Sequence, residues 1–175
     1  MIKILIADDQ QLIRDSIKII LESNEDFSVT DTVGNGKEVL SSIEKNKPNV
    51  ILMDVRMPVM DGTVCTKYVK EKYPDIKVII LTTFDDDDFI FSALKYGASG
   101  YLLKGGSPAD LFTAIRTVAQ GGAMINPDIT EKVFRLFSKM AQANYTISVN
   151  DQETKDFSKS EWCVIQQVGL GLSNK

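Results

Sequence analysis

The chain has 175 residues, 43% of them apolar and 25% charged, with a formal net charge of −4. This is an ordinary composition for a soluble globular protein, with length for one good domain and part of a second. Histidine is absent, which excludes Ser-His-Asp and Cys-His catalysis, histidine zinc sites and any role as a phosphohistidine carrier.

The first 120 residues alternate between strand and helix periods. Ile2 to Ala7 is a short apolar run and reads as a first strand, leading into Asp8-Asp9-Gln10-Gln11. Ile13, Ile17, Ile20 and Leu21 then recur at helical spacing. Phe27 to Val33 alternates and is β-branched, a second strand. Asn35-Gly36 reads as a turn, and Val39, Leu40 and Ile43 as the buried stripe of a short second helix. Val50 to Pro58 is an apolar run of strand length that carries a lone carboxylate, Asp54, at its end and then breaks at the proline. Asp61-Gly62 turns into a third helix with Val64, Cys65, Tyr68 and Val69 inward, and Tyr73-Pro74 ends it. Lys77 to Thr83 is a fourth strand closing on Thr82 and Thr83. A fourth helix from about Asp87 packs Phe89, Ile90, Ala93 and Leu94, and Tyr101 to Lys104 is a fifth strand. Ser107-Pro108-Ala109-Asp110 is a helix start, with Ser at the N-cap and Pro at the first helical position. The fifth helix buries Leu111, Ile115 and Val118 and stops at Gly121-Gly122.

Strands joined by single helices imply a parallel sheet covered on both faces, with right-handed crossovers. The expected fold is α/β, a doubly wound five-stranded sheet of flavodoxin-like order 2-1-3-4-5. After Gly122 the pattern changes. Asn126-Pro127 opens a sixth helix with Ile129, Val133, Phe137 and Met140 on one face; residues 142–156 are polar and read as a flexible linker. Ser158-Lys159-Ser160-Glu161 is a second capping box, starting a seventh helix through Val164, Ile165 and Val168.

The sheet order puts Asp8, Asp9 and Asp54 side by side in the crevice at its switch point, where open α/β sheets hold ligands. Three clustered carboxylates repel each other unless a cation joins them. A hard divalent ion fits, and Mg²⁺ typically uses one or two carboxylates plus a phosphate. Thr82 offers a hydroxyl at the tip of the fourth strand and Lys104 a positive charge at the tip of the fifth. A carboxylate nucleophile (Asp54), a metal, a hydroxyl and a lysine make a site for a phosphoryl group. Taken singly, each residue has a blander reading. Asp8 and Asp9 would cap the first helix, and Asp54 the turn that follows it. Thr82 would be a β-former and Lys104 a solvated strand end. Their coincidence at the carboxyl tips of the strands favours the site. Asp85 to Asp88 read as a solvated acidic loop before the fourth helix, and Lys67, Lys70 and Lys72 as a wet helix face.

Cys65 and Cys163 have no metal or redox spacing and read as small packed residues. No apolar run approaches membrane-span length and no signal peptide is apparent, so no membrane association and a cytoplasmic location are expected. Residues 1–120 hold 14 Lys+Arg against 18 Asp+Glu, and residues 121–175 hold 6 against 6. Neither part is basic enough to announce nucleic-acid binding by charge alone.

These residues resemble the receiver domain of two-component response regulators over about residues 2–120. The resemblance rests on Asp8-Asp9, on Asp54 followed by Met57-Pro58 and Asp61-Gly62, on Thr82, and on Lys104 preceded by Tyr101. It implies Asp54 as phospho-acceptor and Mg²⁺ as cofactor, held by Asp8, Asp9, Asp54 and the backbone carbonyl of Arg56. Thr82 and Lys104 would bind phosphoryl oxygens, and Tyr101 would move inward when Thr82 engages the phosphate. Arg56 and Phe84 stand where the family varies residues that tune dephosphorylation. Two departures are visible. Lys104 is followed by Gly105-Gly106 where many receivers have Pro, and Thr83 is bulkier than the small residue often found there. Phe157 to Lys175 resembles the beginning of a LuxR-type (NarL-type) helix-turn-helix domain, through Ser158-Lys159-Ser160-Glu161 and Gly171-Leu172-Ser173-Asn174-Lys175.

The expected organisation is a receiver at 1–122, a linker helix at 123–141, a flexible linker at 142–156 and an N-terminal helix-turn-helix fragment at 157–175 that lacks its base-reading helix. The implied function is a response regulator phosphorylated by a sensor histidine kinase, forming a homodimer on phosphorylation and controlling transcription. DNA binding belongs to a chain with the complete output domain. Catalysis is expected only of its own phosphotransfer and slow dephosphorylation. Two rivals stay open. One is a binding module acting through a protein partner. The other is an enzyme, either an aspartyl-nucleophile phosphatase, which would lack its second acid where Arg56 stands, or a flavin carrier, which would lack its phosphate loop where Asp8-Asp9-Gln10-Gln11 stand.

Overall fold

The computed structural model describes residues 1–83 and 87–147. The linker residues beyond 147, the helix-turn-helix reading of 157–175, Phe84 and Cys163 lie outside the described residues.

The elements alternate as expected: β1 (Ile2–Ala7), α1 (Gln11–Glu22), β2 (Phe27–Val33), α2 (Gly36–Lys45), β3 (Val50–Met53), α3 (Gly62–Lys72), β4 (Lys77–Thr82), α4 (Asp87–Lys95), β5 (Gly100–Leu103) and α5 (Pro108–Ala119). A short β6 (Met124–Ile125) and a long α6 (Pro127–Ile147) follow. The sheet is parallel throughout, in the order β2-β1-β3-β4-β5-β6. The first five strands keep the expected flavodoxin-like order. The sixth, too short to show a period, falls where the sequence reads as linker helix and adds beside β5.

Strand periodicity of two sends alternate residues to opposite faces. Leu5, Ala7, Ile51, Met53, Val78, Ile80 and Tyr101 pack on one face with residues of α2, α3 and α4. Ile4, Ile6, Val50, Leu52, Ile79 and Leu102 pack on the other with Ile17 and Leu21 of α1 and Ala114, Ile115 and Val118 of α5. A fully buried aliphatic side chain contributes about 1.5–3 kcal/mol, so the two layers hold the central strands far more firmly than any polar contact at their tips.

Several local readings are refined. Asn35-Gly36 is a helix start: the Asn35 side chain accepts the Glu38 amide, which caps α2. On α3, Val64 and Tyr68 face outward while Thr66 is fully buried, its hydroxyl bonded back to the Gly62 carbonyl. Lys70 is not on a wet face, because its ammonium donates to the carbonyls of Pro74 and Ile76 at 2.6 and 3.0 Å and satisfies the chain just past the helix. α6 continues to Ile147, into the stretch read as flexible linker, because Ala141, Gln142 and Ala143 are good helix formers with no breaker among them. No described helix is long and apolar enough to cross a membrane.

One residue is strained. Val59, in the loop between β3 and α3, has φ +67° and is exposed. A β-branched residue there is an outlier that the surrounding loop must impose. Val59→Asn, which tolerates that region without the chain entropy of glycine, is expected to raise stability by about 1 kcal/mol in urea unfolding.

Candidate functional site

β1, β3, β4 and β5 end on one edge of the sheet, and four of the five side chains singled out there are sheltered. Asp8 and Asp54 are 2% and 4% exposed, Thr82 is fully buried, Lys104 is only slightly exposed, and Asp9 faces solvent. The carboxylates of Asp8, Asp9 and Asp54 each place an oxygen within 4.8 Å of the others. Lys104 Nζ lies 2.6 Å from Asp8 Oδ2 and 3.3 Å from Asp54 Oδ1. The first contact is a close charge-assisted pair. The second is attractive in charge but lacks hydrogen-bond geometry, and Asp54 Oδ1 accepts no hydrogen bond although it is buried.

The backbone explains the positions. Asp54 N donates to the Ala7 carbonyl at 2.8 Å, and Lys104 N to the Thr82 carbonyl at 2.7 Å, so each strand tip is tied to its neighbour. The loop after β3 folds back tightly. Gly62 N donates to the Val55 carbonyl, and a Cβ on Gly62 would sit 1.9 Å from the Asp54 carbonyl oxygen. Glycine is therefore required there by close approach. Asp61 caps α3 through the Val64 amide and accepts the Thr63 hydroxyl. After Lys104 the chain turns through Gly105 at φ +100°, a conformation open to glycine.

The blander readings hold only in part: Thr82 does end β4, but Lys104 is paired and sheltered and is no solvated strand end. α1 begins after Gln10 with no side-chain cap; Asp8 Oδ1 instead accepts the Gln10 amide at 2.9 Å, before the helix, and the Asp8 carbonyl accepts Arg14 Nη1 at 2.6 Å. Asp54 does not cap the turn that follows it through its buried Oδ1. Tyr101, two residues before the end of β5, is fully buried. The Arg56 guanidinium leaves the site and lies 5.3 Å over the Phe89 ring on α4. Cys65 is a packed residue as expected; burial, with Asp61 adding to it, pushes its thiol up to about 12. Sequence reasoning marks the Asp61-Gly62 pair but not the reason for the glycine, which is a carbonyl that meets it only in three dimensions.

Electrostatically the cluster holds more negative than positive charge. Burial raises the pKa of Asp54 above its ordinary value; Lys104 pulls it down, Asp8 pushes it up, and Thr82 pulls it down. A buried carboxylate oxygen without a hydrogen bond, beside two further carboxylates, suits a hard divalent cation. The three acids could therefore hold a metal ion.

Fold and site define the class first: a flavodoxin-like α/β domain of the receiver type, with an acidic crevice at the switch point of its sheet. Residues 4–116 match the family model for the response regulator receiver domain. The transcriptional regulatory protein LnrK of Bacillus subtilis (strain 168) is 36% identical over 176 residues, covering 100% of this chain and 80% of that protein. A DNA-binding response regulator of the LuxR family from Staphylococcus aureus superposes with a TM-score of 0.65 at 30% identity, covering 68% of this chain and 99% of that one. The isolated receiver domain of RcsB from Salmonella enterica serovar Typhimurium, solved with the phosphomimetic BeF₃⁻, superposes with a TM-score of 0.69 at 25% identity, covering 75% of this chain and 97% of that one. The chain belongs to the response regulator receiver family and carries the receiver domain of a two-component response regulator with LuxR-type relatives.

The raised Asp54 pKa has a signed consequence for the metal-free protein. A carboxyl raised in the folded state contributes stability that is fully present below the unfolded value, about 4, and is lost as pH rises through the folded one. With a chelator present, Asp54→Asn is therefore expected to melt higher than wild type at neutral pH, with the gap closing below about pH 4. Thermal melts across pH check this; an equal gap at all pH values would contradict it.

Proposed function

We propose that this chain is a phosphorylation-controlled transcriptional regulator whose Asp54 accepts a phosphoryl group from a sensor histidine kinase. The observation that carries the reading is Asp54 Oδ1: buried, accepting no hydrogen bond, at a strand tip and facing the Lys104 ammonium. In the transfer the N–P bond of the kinase phosphohistidine breaks and an O–P bond to Asp54 forms. The leaving imidazole nitrogen takes up a proton from solvent, and Asp54 becomes an acyl phosphate. Such a transfer asks the protein mainly for positioning and charge stabilisation. The Lys104 ammonium would pair with a phosphoryl oxygen and the Thr82 hydroxyl would donate to another.

Asp8, Asp9 and Asp54, with the backbone carbonyl of Arg56, would hold Mg²⁺, which when bound supplies charge neutralisation for the phosphoryl oxygens. The phosphomimetic complex of the RcsB receiver supports a phosphoryl site in this fold. Tyr101 would report the state of Thr82. The chain would be no turnover enzyme: it catalyses its own phosphorylation and slow dephosphorylation in the cytoplasm. Transcriptional output is supported by the regulators LnrK and the LuxR-family protein, and would act on DNA through a complete helix-turn-helix domain.

Phosphorylation is expected to change self-association. The β5 edge is covered by β6 and α6, whereas the α1–α5 side carries an open apolar cavity of about 550 Å³ lined by Ile13, Ile17, Ile20, Leu102, Leu111 and Met124. Leu12 and Ile19 lie on the adjoining stripe of α1 and are exposed. This face suits a second copy of the chain.

Incubation with acetyl phosphate or a cognate kinase should label wild type but not Asp54→Asn. Lys104→Ala should label about 100-fold more slowly, the usual effect of removing one group that stabilises developing charge. Labelling of Asp54→Asn at the wild-type rate would exclude the acceptor role. Size exclusion of the phosphorylated chain should show a dimer for wild type and a monomer for Leu12→Lys with Ile19→Lys.

A further inference from the structure

β5 is not an edge strand in this protein, and the segment that covers it bonds to the Tyr101 backbone and joins the apolar layer of its ring. Tyr101 pairs with Ile125 of β6, and the Asn126 amide donates to the Tyr101 carbonyl at 3.0 Å. One turn further on, Ile129 is fully buried in the same apolar layer as Tyr101, Ile90 and Ala93, with Val133 and Leu136 packed against it. At the end of this stretch Arg135 Nη2 lies 3.1 and 3.2 Å from the two carboxylate oxygens of Asp87 in the first turn of α4. That same turn carries Phe89, over which Arg56 lies at 5.3 Å, two residues along the chain from Asp54. The start of α4 is therefore held from the site side by one arginine and from the α6 side by another.

We propose that β6 and residues 127–136 of α6 form a strap, latched by Arg135 on Asp87, that must lift for Tyr101 to leave its buried position. The state of the phosphoryl site is then read out as α6 docked or released. The inference rests on the proposed coupling of Tyr101 to Thr82.

The physical reason is packing. Interiors are filled to crystal density, so a tyrosine ring cannot swing out of a layer it shares with Ile129 without disturbing the packing of that layer. Packed elements of this kind respond by switching between discrete arrangements. The latch itself is a partly exposed ion pair, with side-chain exposures of 54% and 36%. Such a pair contributes little alone, which suits a contact that has to open. Because the strap is docked with Tyr101 buried, it belongs to the state that binds phosphoryl, and linkage requires each to favour the other.

Hydrogen exchange on the full chain tests this, with beryllofluoride and Mg²⁺ as the phosphoryl mimic. In wild type the mimic should slow exchange across residues 124–136 about fivefold, the lower end of ordinary coupling between sites. Arg135→Asp should speed that exchange and weaken beryllofluoride binding by about the same factor. Asp87→Arg combined with Arg135→Asp should restore both. Binding of the mimic with no change in exchange over 124–136 would overturn the strap and leave the phosphoryl site standing. An Arg135→Asp variant with faster exchange but unaltered binding would also overturn it, as a merely structural contact. No binding to wild type at all would remove the site reading, and the coupling with it.

Discussion

One ammonium serves two buried carboxylates, and the site follows from that imbalance. Lys104 makes its close contact with Asp8 and approaches Asp54 without a hydrogen bond. Burial outweighs the attraction of Lys104 in setting the Asp54 pKa, and Asp8 adds to burial. A buried carboxylate perturbed by burial and by specific charged neighbours in a crevice marks a candidate functional site. Asp9, exposed beside them, enlarges the negative charge and opens the cluster to solvent. A second lysine in the crevice would satisfy the carboxylates and close the site.

Such a cluster persists because the sheet beneath it is overdetermined. The central strands are buried on both faces, and their tips are tied crosswise by Asp54 N to Ala7 and Lys104 N to Thr82. The loop after Asp54 is pulled in until only glycine fits at position 62. Asp61 caps α3 within the same turn, and the strain of closing the loop is left at Val59. Unfavourable groups of this kind collect at sites and are held in place by the packing around them.

The sheet keeps the acidic cluster apart from two apolar surfaces. The acids and Lys104 lie at the carboxyl edge, the open apolar groove lies between α1 and α5, and β6 with the start of α6 covers the far side of β5. Thr82 and Tyr101 sit on adjacent strands between the acidic edge and that cover. The acidic cluster is therefore only two strands from the β6 cover and adjoins the α1–α5 groove. The two surfaces differ in packing: the β6 side is a filled apolar layer, whereas the α1–α5 side is open.

Periodicity and residue type determined much by themselves. The βα alternation, the order of the first five strands and the convergence of Asp8, Asp9, Asp54, Thr82 and Lys104 at one edge were legible because a period of two or 3.6 is a local property of the chain, and parallel topology has few solutions. The family resemblance rested on the same residues, and the receiver match bears it out. Tertiary structure decided what depends on distant partners. It showed that Asp54 Oδ1 is without a hydrogen bond, that Gly62 yields to a carbonyl, that Thr66 is buried while Val64 is not, and that Lys70 serves carbonyls beyond its helix. It also added β6, whose two residues are too few to carry a period, and set Arg135 on Asp87, 48 positions apart. A pattern along the chain reports which way a side chain faces; what it meets there is settled only when the elements pack.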